Sequence, residues 1–215
     1  LNYLKKLISP LFRRQAQQHL LYGKRHKALA LFQLLYNWDA TPENQFSLAL
    51  CYMNLRDYQQ ACQLLQPIHD KIPDQLFAGI TYAQCLLLSR EYQAAHAIYQ
   101  KLSDLNPQNQ LLAMLITLSL DPVGRDKYVT SLDFQYQASI LEEQKQPEQA
   151  LELLKQALTL TPEDAALQNN LGALKLKLKY PIEEVMAAFA RAMELNPEND
   201  RYKRNYRSVW QKNKR

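Results

Sequence analysis

The residues of this chain that could do chemistry are four histidines, three cysteines and two acidic pairs, and their spacing keeps them from acting together. His19, His26, His69 and His96 are scattered over different stretches. None belongs to an HExxH pair that would grip a metal, and the chain has neither a serine elbow nor a glycine-rich phosphate loop. Cys51, Cys62 and Cys85 show no CxxC spacing and fall inside helical patterns. They read as buried, reduced thiols, which favours a reducing cytosol. Glu142-Glu143 and Glu183-Glu184 read as solvated helix faces or helix-start charges. These residues predict a protein without catalysis, metal or cofactor.

The elements that must carry these side chains are written in a repeat. Four phrases rhyme, DKIPDQ, DLNPQN, TLTPED and ELNPEN, with prolines at Pro73, Pro107, Pro162 and Pro197. The first interval is 34 residues, the last 35 and the middle one 55. A period near 34 is the mark of stacked helical hairpins. The composition agrees: 47% of the 215 residues are apolar, glycine occurs only four times, and good helix formers dominate. Gly23 and Gly124 are the glycines expected in turns. No apolar run reaches the length of a bilayer span; the longest, from Leu111 to Leu120, is about half of it.

Within each period the same residue types recur at the same offsets. Ala49, Tyr52, Tyr58, Ala61, Leu65 and Pro73 are followed by Ala83, Leu86, Tyr92, Ala95, Tyr99 and Pro107. Further on come Phe134, Ala138, Leu141, Ala150, Leu154, Ala157 and Pro162, and then Leu171-Gly172, Val185, Phe189, Ala192 and Pro197. This pattern resembles the tetratricopeptide repeat over nearly the whole chain. The physical reading matches the resemblance. Small residues mark where helix axes approach to about 8–10 Å, and the prolines stop the second helix of each pair. The expected fold is all-α, a superhelix of about five hairpins.

Three departures shape the domain reading. Gly23, Ala28, Phe32 and Leu35 fit a degenerate first repeat whose first helix, Phe12 to Leu21, is polar. The segment LLAMLITLSL starts a further first helix, which breaks at Asp121-Pro122. After Pro197, Tyr202, Tyr206, Val209 and Trp210 approximate helical spacing and predict a final capping helix. The expected organisation is therefore repeats over 1–120, a linker or hinge over 121–130, and repeats plus a basic capping helix over 131–215.

The resemblance also implies which side chains a partner would meet. In a tetratricopeptide stack the first helices line the concave side. Their inward offsets fall on Phe46, Leu50 and Met53, on Phe77, Ile80, Gln84 and Leu87, and on Leu111, Met114 and Leu118. Nearly all are apolar, whereas the later equivalents Gln135, Ser139, Glu142, Asn169 and Ala173 are polar or small. A bare apolar patch is uncommon on a soluble protein. Three occupants are open: the chain's own N-terminal helix or its 121–130 segment, an apolar peptide or helix of another protein, or a second copy. The lysine and asparagine pattern with which some tetratricopeptide co-chaperones clamp a C-terminal carboxylate is not visible at these offsets. More narrowly, LYGKRHKALALFQLLYNWDATPENQFSLALCYMNLRDYQQACQLL is similar to the translocator chaperones of bacterial type III secretion, which implies a cytosolic chaperone or assembly adaptor of bacterial type.

Charge supplies the competing reading. The formal net charge is +5. Lys5, Lys6, Arg13, Arg14, Lys24, Arg25 and Lys27 crowd the start, and Arg201, Lys203, Arg204, Arg207, Lys212, Lys214 and Arg215 crowd the end. Such ends can meet RNA, anionic lipid or an acidic protein, or simply be solvated. The amphipathic start LNYLKKLISPLF could touch a membrane surface, with Pro10 limiting its length. The chain begins at Leu1 rather than Met, so an accessory domain of a longer, membrane-anchored protein is a further alternative.

Overall fold

The computed structural model describes the backbone of residues 2–21 and 23–213, and the side chains of residues 5, 7–20 and 23–211. The side chains of Lys6, Lys212, Lys214 and Arg215, counted above among the basic ends, lie outside the described residues. Among the described residues the secondary structure is entirely helical. The chain forms two compact units, Leu1–Pro122 and Val123–Arg215.

The first unit holds α1 (Asn2–Leu21), α2 (Arg25–Trp38), α3 (Pro42–Asn54), α4 (Tyr58–Lys71), α5 (Leu76–Leu88), α6 (Tyr92–Leu105) and α7 (Gln110–Leu120). The second is built from α8 (Pro122–Glu143), α9 (Pro147–Leu160), α10 (Ala165–Lys177), α11 (Ile182–Leu195) and α12 (Asp200–Asn213). In each unit successive helices pack as hairpins. Ala49, Ala61, Ala83, Ala95, Ala138 and Ala150 are all essentially inaccessible to solvent, as small residues at close helix crossings must be. Around them lie Phe32, Leu35, Leu65, Tyr99 and Leu102 in the first unit and Leu154, Leu167, Leu174 and Phe189 in the second.

The hairpin turns follow one rule. After α3, Arg56 adopts a left-handed φ of 64°. Its N–H donates to Met53 O at 3.0 Å, and the N–H of Asp57 donates to Tyr52 O at 2.9 Å. This is the Schellman closure, which satisfies the orphan carbonyls of a helix end. The same pair of bonds recurs around Arg90, Lys145 and Lys179, with φ of 69°, 62° and 59°, and around Gly23, with φ of 72°. Only the first of the five turns uses glycine. Asp57 then caps α4 by accepting from the N–H of Gln60 at 3.1 Å. Thr41 and Asn109 cap α3 and α7 in the same way.

The structure corrects several local expectations. Within 121–130 the break in helix is confined to Asp121, the chain is helical from Pro122, and the boundary between the compact units falls at Pro122/Val123. Pro122 starts α8, and a proline is tolerated where its missing N–H would have no partner. Gly124, expected in a turn, lies inside that helix. Pro10 does not limit the N-terminal helix, which runs through it for 20 residues. Packing outweighs the break: Ala16 is fully buried, Phe12 stacks on Trp38 with centroids 5.5 Å apart, and Arg13 Nη2 donates to Asn44 Oδ1 at 2.8 Å. Within the same helix Ser9 Oγ donates to Lys5 O at 2.6 Å. The polar first helix is thus a full member of the first hairpin.

The final helix covers the end of the second unit. Its spacing puts Tyr202 and Val209 into the core, while Trp210 stays 42% exposed. Val209 and Tyr206 pack against Val185 and Phe189, and Asn205 Nδ2 donates to Asn169 Oδ1 at 2.7 Å. Asn169 is itself buried, so this bond satisfies an amide that would otherwise be costly to enclose.

Candidate functional site

The apolar side chains of α3, α5 and α7 do not all point the same way. Phe77 is 66% exposed, Met114 58% and Leu111 47%. Phe46, Leu50, Met53, Ile80, Gln84 and Leu118 are half-buried. Leu87, expected on the same face, is buried at 1%; it belongs to the packing between helices and does not reach an open surface. Phe46 and Met53 also lean on the core around Ala49, Ala61, Leu65 and Cys85.

Phe46 from α3 and Phe77 from α5 meet with ring centroids 5.4 Å apart and planes inclined at 46°. They form one wall of a cleft of about 420 Å³, completed by Ile68 and Ile72 from the end of α4 and edged by Glu43. Ile72 is 54% exposed. Sequence reasoning missed Ile68 and Ile72, since the concave offsets take in the first helices alone. The four-residue interval from Ile68 to Ile72, running up to Pro73, was the available signal. The cleft offers aromatic and branched aliphatic surface, with one carboxylate at its rim. Such a lining suits an apolar side chain better than a charged one.

The basic residues of α12 are dispersed. Arg201, Arg204 and Arg207 are exposed, and Lys203 Nζ lies 3.8 Å from Asp200 Oδ1. Arg201 and Arg204 border an open depression of about 550 Å³ shared with Glu198 and Asp200. The carboxylates among them dilute the positive field, which a run of one sign would otherwise focus.

The four histidines remain on separate helices. His19 lies on α1 and His26 on α2. On α4, His69 sits against Tyr82, with centroids 5.3 Å apart, and His96 Nδ1 lies 2.9 Å from Ser119 Oγ. Lys177 Nζ reaches Glu142 Oε2 at 3.4 Å, and Lys175 Nζ reaches Glu184 Oε2 at 2.8 Å. Among the described residues no group of three or more His, Cys, Asp or Glu side chains gathers to hold a metal. Nor is any described helix long and apolar enough to cross a membrane.

Comparison with known proteins follows the same geometry. Residues 52–118 and residues 137–164 each match a family model described as Tetratricopeptide repeat. No curated protein matches the chain. Among solved structures it is similar to TTC0263, a thermophilic TPR protein of Thermus thermophilus, at 18% identity over 94% of this chain and 98% of that one, with a TM-score of 0.48. It is also similar to MamA, from residue 41 to its end, of Desulfovibrio magneticus RS-1, at 19% identity over 89% of this chain and 97% of that one, with a TM-score of 0.43. The chain thus carries tetratricopeptide repeats in both compact units, a repeat that is typically a non-catalytic scaffold for protein–protein interaction.

Proposed function

We propose that the first unit is an adaptor or chaperone module that holds an apolar peptide or helix of a partner protein against α3, α5 and α7. The observation that carries this reading is the apolar cleft where Phe46 meets Phe77, with Phe77, Leu111 and Met114 of the same unit exposed. A folded chain gains by covering such side chains, at about 25 cal/mol per Å² of apolar surface removed from water. A partner helix with apolar residues three and four apart would place one anchor in the cleft and others along Leu111 and Met114. The half-buried Phe46, Leu50, Met53, Ile80 and Leu118 would form the floor of that contact.

The test is selection from a displayed peptide library on the full chain, repeated on a Phe77→Ser, Met114→Gln double variant. Both positions are more than half exposed, so the helical circular dichroism should be unchanged. The expected result is enrichment of peptides with apolar anchors at helical spacing, and at least a tenfold loss of affinity in the variant. Equal binding by both proteins would overturn the reading. So would enrichment of acidic peptides whose binding collapses with salt, which would move the function to the basic ends.

A further inference from the structure

We propose that Cys62 and Cys85 form a reversible dithiol–disulfide site, oxidised by a hydroperoxide and joining α4 to α5. Their Sγ atoms lie 2.9 Å apart although the residues are 23 positions apart in sequence. Closing that contact to the S–S distance of a disulfide, about 2.05 Å, needs a shift of roughly 1 Å. The two thiols are unequal. Cys62 is half-buried and Cys85 is enclosed at 0% exposure. Cys85 Sγ also lies 3.2 Å from the carbonyl oxygen of Tyr58, an alternative acceptor for its proton, and Ser89 Oγ stands 3.7 Å from Cys62 Sγ.

This arrangement assigns the roles. The hydrogen bond with Cys85, assisted by Ser89 and opposed by burial, holds the Cys62 thiol below its ordinary range, while the same contact and burial push Cys85 up. Cys62, the half-buried sulfur that a peroxide can reach, is therefore the attacking group, and the enclosed Cys85 is the resolving thiol. In the first step the Cys62 sulfur attacks the peroxide; an S–O bond forms, the O–O bond breaks, and hydroxide leaves and takes up the proton that Cys62 had released. In the second, Cys85 sulfur attacks the Cys62 sulfenic acid. The S–S bond forms, the S–O bond breaks, and the departing hydroxide leaves as water with the proton of Cys85. Two thiols are oxidised by two electrons, and one hydrogen peroxide becomes two waters. Cys51, buried at 1% with its thiol pushed up to about 12 by burial, serves as the spectator.

The experiment treats the full chain with limiting hydrogen peroxide, then counts thiols and maps linked peptides by mass spectrometry under non-reducing conditions. The expected result is a fall from three free thiols to one, a Cys62–Cys85 linked peptide two mass units lighter than the separate pair, and full reversal by dithiothreitol. The cross-linked protein should melt about 5–10 °C higher, because the bridge restrains the unfolded chain. In Cys62→Ser, Cys85 should stay reduced under the same dose. Accumulation of Cys62 sulfinic acid beside a free Cys85 would overturn the proposal. So would equal loss of the Cys85 thiol in Cys62→Ser, or a bridge formed only between two copies of the chain.

Discussion

Phe46 and Phe77 lie on first helices of adjacent hairpins, yet their rings touch at 5.4 Å while their burial differs: Phe46 leans on the core and Phe77 is 66% exposed. The two positions should therefore separate stability from binding. Phe46→Ala should cost about 2–3 kcal/mol and Phe77→Ala about 0.5 kcal/mol or less. A double-mutant cycle in urea should return a coupling of about 0.5 kcal/mol for the tilted pair, which would account for the whole cost of Phe77→Ala. A coupling of zero would mean that the rings touch without mutual support.

Two helical glycines lie where an added side chain would crowd a buried neighbour. A Cβ on Gly79 would lie 2.8 Å from Leu102 Cδ1, and one on Gly172 would lie 3.0 Å from the ring of Phe189. Leu102 and Phe189 are both buried and have little room to yield. Gly79→Val should destabilise by about 2–3 kcal/mol despite the lower intrinsic cost of a side chain in a helix. Ala61→Leu and Ala95→Leu should each cost roughly 1–3 kcal/mol for the same reason. Chemical denaturation of each variant is the measurement.

The left-handed turn residues make the opposite prediction. Arg90 sits at φ 69° and is exposed, a conformation that costs an L-residue about 1–2 kcal/mol. Arg90→Gly should therefore raise stability by about 0.5–1 kcal/mol, part of the relief being offset by the entropy of glycine in the unfolded chain. Arg56→Gly should gain nothing, since Arg56 Nε donates to Tyr58 Oη at 2.9 Å and its guanidinium lies over that ring at 5.8 Å. Thermal melts of the two variants side by side would decide it.

His69 supplies a pH dependence. Burial holds its pKa below 6.5, with Lys101 adding to the effect and Asp70 and Asp74 opposing it. Its Nδ1 is buried without a hydrogen-bond partner. The sign follows from linkage: the folded pKa is depressed, so the unfolded chain takes up the proton first as pH falls through 6.5. Stability is fully present above that value and declines until the folded pKa is reached. Urea midpoints at pH 7.5 and 5.0 should differ less in His69→Phe than in the unaltered chain, the aromatic contact with Tyr82 being kept.

The sequence alone determined the helical hairpins, because local chemistry does so. Pro73, Pro107, Pro162 and Pro197 cannot continue a helix, and the alanines at matched offsets cannot hold helices far apart. Those residue types leave one arrangement, and each alanine is buried as its offset requires. The closing helix was legible for the same reason, in the spacing of Tyr202 and Val209. What tertiary structure decided were features with a small local signal and a large contact. Pro10 is carried inside α1 because Phe12, Arg13 and Ala16 gain more from α2 and α3 than the proline costs. Leu87 shares its residue type with Leu111, yet one is enclosed and the other open, and helix offset alone does not say which neighbour covers it. The meeting of Cys62 with Cys85 depends on how α4 lies against α5, a relation between hairpins that no spacing within either one encodes.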